Sequence, residues 1–191
     1  MTDNLPILPF ASAAEWLEWL EEHHGSSPGL WLKIAKTASG IPSVTYAEAL
    51  AVALQYGWID GQKGSFDGKF FVQRFTPRRP KSKWSQVNRV KVTELIEQGA
   101  MKPAGLRAVE AAKADGRWDA AYPSQSAATV PDDLQEALDS NAGAREHFAT
   151  LSSVNRYAIL YRIHNSKKPE TRARNIEKFV AMLAEGEQIH P

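Results

Sequence analysis

Apolar and polar positions alternate in two rhythms along this chain, and the change of rhythm marks out its elements. Ser12 and Glu15 have the S-x-x-E spacing of a capping box. After them Trp16, Leu17, Trp19 and Leu20 recur at helical spacing between Glu15, Glu18, Glu21 and Glu22, and the pattern stops near Gly25. Residues 30–36, L-W-L-K-I-A-K, read as a strand. Thr45 and Glu48 repeat the capping spacing ahead of an Ala- and Leu-rich helix over 46–56, which Gly57 closes as a left-handed C′ residue. Residues 58–60 read as a short strand, Gly61, Gly64 and Gly68 as turns, and residues 69–75 as a third strand rich in aromatic and β-branched side chains. Three such strands with helices between and after them predict an α+β fold: a small antiparallel sheet packed on helices.

The second half changes character. Pro77 and Pro80 end the third strand, Ser85 suits the N-cap of a helix over 86–98, and Gly99 suits its end. A further helix is expected from Pro103 to Ala114. Residues 118–131 are loop-like, and the remainder is helical. Pro131, Asp132 and Asp133 open one helix, and Ser152 or Ser153 caps another through Ile163. Pro169 and Glu170 begin the last, whose stripe is Ile176, Phe179, Val180 and Leu183. The expected organisation is an α+β domain over residues 1–101 and a helical region over 102–191.

Composition narrows the chemistry. The 191 residues contain no cysteine, which removes disulfides, thiolate nucleophiles and thiolate metal sites. Residues 1–10 lack the features of a signal peptide, and no apolar run is long enough to span a bilayer, so a cytoplasmic protein is expected. The formal net charge of +1 conceals a strong asymmetry. Residues 68–93 hold eight of the 23 basic residues and none of the 22 acidic ones, so a cationic segment sits on an acidic body.

That segment is where ligand chemistry is expected. It runs Arg74, Phe75, Thr76, Pro77, Arg78, Arg79, Pro80, Lys81, Ser82, Lys83, Trp84, Ser85, Gln86, Val87, Asn88. Prolines hold the connector extended, and guanidinium forks suit phosphate or carboxylate. The segment then enters a helix N-terminus, where free N–H groups favour an anion. Trp84 offers a stacking or packing wall. Ser82 and Ser85 offer hydroxyls, and Thr76, Asn88, Trp58 and Asp60 complete the candidate set. Asp60 is also placed to pair with Arg74 or Arg78 across the sheet. The bland alternative is a solvated basic loop paired with carboxylates of the same chain.

Catalytic motifs fail. There is no G-x-S-x-G, and Gly61-Gln62-Lys63-Gly64-Ser65 lacks P-loop spacing. No catalytic residue, cofactor or metal ligand is assigned. The metal alternative rests on Glu18 and Glu22, i,i+4 neighbours on the first helix, which suit a hard cation or equally a solvated face.

The strings G-W-I-D-G-Q (57–62), R-F-T-P-R-R-P-K-S-K-W-S-x-x-N (74–88), L-I-E-Q-G-A-M (95–101) and K-K-P-E-T-R-A-R-N-I-E-K (167–178) resemble the YdeI/OmpD-associated family, also called OmdA or bacteriocin-protection. The resemblance implies a stress- or bacteriocin-protection-associated protein. It also implies an α+β fold of the YjbR/CyaY-like or YdhG-like kind, and through that relationship a frataxin-like iron-handling alternative on the first-helix acids. The expectation is thus a non-enzymatic binding protein whose partner is an anionic ligand or nucleic acid.

Overall fold

The computed structural model describes residues 4–191, and these divide into two compact units. Residues 4–84 and 88–121 form the first, and residues 85–87 and 122–191 the second.

In the first unit, β1 (Ile7–Pro9), β2 (Leu30–Ala35), β3 (Trp58–Ser65) and β4 (Phe70–Pro77) form one sheet in the order β1-β2-β4-β3. The α+β expectation holds, but the sheet is mixed: β1 runs parallel to β2, and the β2–β4 and β3–β4 pairs are antiparallel. Leu30, Leu32 and Ile34 alternate inward along β2. Their cross-strand partners Phe75, Gln73 and Phe71 share that face, because directly opposed residues point the same way. Helices α1 (Ala13–His23), α2 (Tyr46–Gln55), α3 (Gln86–Glu97) and α4 (Pro103–Ala114) contribute to the same core, which contains Trp16, Leu20, Leu54, Val92 and Val109.

The helix starts follow the capping chemistry. Thr45 Oγ1 accepts from Glu48 N while the Glu48 carboxylate accepts from Thr45 N, so the box at α2 is complete. At α1 it is displaced: Ser12 Oγ accepts from Glu15 N, but Glu15 reaches back to Ala11 N instead of the Ser12 amide. Gly57 ends α2 with φ of +73°, where a side chain would be strained. Gly105 on α4 has a different reason to be glycine. A Cβ there would run into the carbonyl oxygen of Gln55, the last residue of α2, so the small residue lets the two helices touch.

The stretch after Trp58 differs from its sequence reading as a three-residue strand followed by turns. β3 continues to Ser65 through Gly61 and Gly64 as an edge strand carrying a bulge. Glycines are tolerated there because an edge strand with a bulge has fewer side chains to pack.

The second unit is helical. It contains α5 (Asp132–Asp139), α6 (Ala142–Thr150), α7 (Ser153–His164) and α8 (Pro169–Ala184). They enclose their own core of Leu134, Leu138, Phe148, Ile159, Ile163, Ile176, Phe179 and Leu183. Arg172 on α8 fastens three of these helices. Its Nη2 donates to Asp133 Oδ1 at 2.8 Å, its Nε to Asp133 Oδ2, and its Nη1 to the Ile163 carbonyl at 3.0 Å. The hydrogen bonds from Arg172 hold the Asp133 carboxyl below the usual carboxylate range.

Candidate functional site

The basic connector between β4 and α3 is an ordered loop. Arg78 N donates to the Gly57 carbonyl at 3.0 Å as the chain leaves β4. Arg79 N donates to Ser82 Oγ and Ser82 N donates back to the Arg79 carbonyl, both near 3 Å, which closes a tight turn over residues 79–82. Arg117 Nη1 donates to the Ser82 carbonyl at 2.9 Å and anchors the turn from outside the connector. The Ser82 hydroxyl therefore shapes the loop.

The predicted cations do not share one place. Arg78 lies flat on Trp84, its guanidinium carbon 3.6 Å from the ring centroid, and its Nη1 donates to the Lys83 carbonyl. Trp84 is 2% exposed and meets Trp118 edge-on at 4.8 Å. Arg78 is thus part of the packing that holds the connector, since a desolvated guanidinium over an indole is strongly attracted. Arg74 is opposite Trp31 on the sheet face away from the core, with its aliphatic stem beside Gly61. Thr76, half-buried, shares that face with Arg74, two residues along β4. Arg79, Lys81 and Lys83 are exposed. Neither Arg79 nor Lys81 has an ion-pair partner among the described residues, so both display their charge from a fixed turn.

The remaining candidates fall elsewhere. Trp58 is 1% exposed, donates from Nε1 to the His24 carbonyl at 3.1 Å, and meets Trp16 and Trp19 edge-on. Asp60 Oδ2 accepts from the Tyr46 hydroxyl at 2.8 Å. Burial, and then Asp60, push the Tyr46 phenol pKa far up, so Tyr46 remains a neutral donor. Ser85 pairs with Tyr122 in an isolated parallel bridge, and Gln86 N at the start of α3 donates to the Tyr122 carbonyl at 2.9 Å. That bond already occupies one N–H of the helix start expected to attract an anion. Asn88 is 7% exposed within α3. On α1, Glu18 and Glu22 are exposed. Among the described residues no group of three or more His, Cys, Asp or Glu side chains gathers as a metal site would require.

Sequence reasoning passed over Arg117, whose bond to Ser82 spans 35 positions and is invisible to local pattern. It also passed over Gln73, a buried amide at 4% exposure that donates to the carbonyls of Gly61 and Gln62. The signal available was a polar residue between Phe71 and Phe75 at the inward positions of the strand.

Residues 8–108, just over half of the chain, match the family described as Domain of unknown function (DUF8412). The chain belongs to that family. The whole basic connector lies within the DUF8412 region. Residues 127–186 match a second family, described as Bacteriocin-protection, YdeI or OmpD-Associated (OmdA), and this stretch contains α5 to α8 entire. The resemblance of the chain to OmdA is therefore carried by its helical unit, where the 167–178 string lies, and the 74–88 string belongs to the DUF8412 region. No curated protein and no solved structure matches the chain. Among the described residues, no helix is long and apolar enough to cross a membrane.

Proposed function

We propose that this DUF8412 and OmdA-matching chain is a bacteriocin-protection-associated protein that works by binding anionic groups, with the β4–α3 connector as its contact surface. The observation that carries this reading is the display of Arg79 and Lys81: exposed, without ion-pair partners among the described residues, on a turn pinned by Ser82 and Arg117. A pinned turn loses little entropy when it meets a ligand, so more of each charge contact survives as affinity. Within the connector, the set expected from sequence narrows to Arg79 and Lys81, because Arg78 is stacked on Trp84 and Arg74 is on the sheet.

The OmdA match supports the association with bacteriocin protection, and the acid-free run of residues 68–93 supports the preference for anions. Two phosphate contacts give a slope of about −2 for log K against log salt on duplex DNA. The test is binding to a random-sequence 20-base-pair duplex across a salt series, for the native protein and for Arg79→Ala/Lys81→Ala. The double variant should keep its melting temperature and lose about two units of that slope. A native slope near zero, or one unchanged in the variant, overturns the reading.

A further inference from the structure

A separate cleft of about 810 Å³ opens in the first unit between the sheet and the N-terminal end of α2. Its apolar floor is Ile34, Val44 and Phe71, the first two almost fully buried. Lys36 and Lys63 stand on its rim, and no Asp or Glu is among its lining residues.

Each ammonium is held in position. Lys36 Nζ donates to the Asp67 carbonyl at 2.9 Å, which uses one of its three N–H donors. Lys63 Nζ stands 4.4 Å from the centroid of the Phe71 ring, which orients it without neutralising it. Neither lysine has an ion-pair partner among the described residues. The nearby acids are engaged. Asp67 accepts from Lys69 N and Phe70 N and is held below its usual range by those bonds and by the charges of Lys33 and Lys36. Glu48 closes the Thr45 capping box, and Asp60 accepts from Tyr46.

Lys63 reaches this face only because of the β3 bulge. Asp60 pairs with Phe75 and Lys63 with Gln73, so three steps along β3 match two along β4. Without the extra residue, position 62 would face the cleft and Lys63 would point to the opposite side of the sheet. The Gln73 amide bonds to the two carbonyls freed by the irregularity, and so fixes it.

We infer that this cleft binds a small organic anion: a carboxylate head held by Lys36 and Lys63, on an aliphatic or aromatic body lying over Ile34, Val44 and Phe71. Its volume lies in the range of small-molecule sites, and an apolar floor with a few polar groups at the mouth is their usual make-up. A ligand body lying over the floor displaces water from it, and charge-assisted hydrogen bonds at the rim then select an ionised head over a neutral one. The site is distinct from the connector and does not depend on it.

The test uses 4-phenylbutyrate and its neutral counterpart 4-phenyl-1-butanol as probes, followed by amide chemical shifts of the full chain. Phenylbutyrate should shift residues 34–37, 43–46 and 63–65, and phenylbutanol should bind about tenfold more weakly or less. Lys36→Ala/Lys63→Ala should erase that preference while retaining the native melting temperature. Arg79→Ala/Lys81→Ala should leave it intact. Equal affinity for the two probes, shifts confined to residues 78–84, or no shifts at 10-millimolar order of probe would overturn the assignment.

Discussion

Gln73 stands directly opposite Lys63 in the β3–β4 ladder, and its side-chain amide donates to the carbonyls of Gly61 and Gln62 at 2.8 and 3.2 Å. One buried amide thereby satisfies two backbone acceptors that a bulged strand leaves without ladder partners. Gln73→Leu preserves the approximate volume and removes both donors. It should destabilise the first unit by about 1–2 kcal/mol, the net worth of two hydrogen bonds whose acceptors belong to exposed residues of an edge strand and can turn to water. Urea unfolding followed by tryptophan fluorescence measures it, and a variant as stable as the native chain would show that the bulge holds itself.

Arg78 and Arg79 are adjacent in sequence and should behave in opposite ways. Arg78 is stacked on the buried Trp84 ring, so Arg78→Ala should lower stability by about 1–2 kcal/mol. Arg79 is exposed at the turn, and Arg79→Ala should change stability by less than about 0.5 kcal/mol. Thermal melts of the two variants side by side decide this. Equal losses would mean that the turn depends on the Arg79 side chain as well as on its backbone.

These contrasts show which parts of the molecule the sequence carries. The start of α2 was legible because its capping box is local, and α4 and α8 because Pro103 and Pro169 occupy first-turn positions. β1 was not legible: Ile7, Leu8 and Pro9 have no alternation, and their strand state comes from parallel pairing with β2. The length of β3 was hidden by Gly61 and Gly64, which mark turns far more often than bulged edges. At the candidate site, the cationic run was plain in the sequence. Its dispersal was not, since Arg74 is placed by strand parity and Arg78 by a tertiary contact with Trp84. The Lys36–Lys63 cleft left no local trace, because Lys36 is held by the Asp67 carbonyl just past the end of β2 and Lys63 is turned to this face by the β3 bulge.

Gly105 tests the packing of the first unit. A Cβ at this position meets the Gln55 carbonyl oxygen and would lie 2.7 Å from Met101 Cε. The methionine end can move, but the carbonyl cannot, because it also accepts from Lys102 N at 3.0 Å. Gly105→Ala gains helix propensity, worth about 1 kcal/mol at an open site. Overpacking against backbone should outweigh it and leave a net loss of about 1–2 kcal/mol. Gly105→Ala melting at or above the native temperature would show that α4 can slide away from α2.

The second unit should carry a pH dependence set by Asp133. Arg172 hydrogen bonds hold its carboxyl below the ordinary value of 3.8, so the native state favours the ionised form more than the unfolded chain does. A carboxyl depressed on folding contributes stability that is fully present above its unfolded pKa. That contribution is lost as pH falls through the native value. The pair is partly exposed, with side chains 28% and 45% accessible for Arg172 and Asp133, so solvent screening limits it to about 0.5–1 kcal/mol despite two-pronged geometry. Asp133→Asn should therefore unfold more easily than the native chain at pH 7, and the gap should close as pH drops below about 4. Chemical denaturation at pH 7, 5 and 3, read by far-ultraviolet circular dichroism, measures the gap. A gap that stays constant across this range would assign the role of Asp133 to the uncharged geometry of its bonds with Arg172 and Leu134 N, with ionisation contributing nothing.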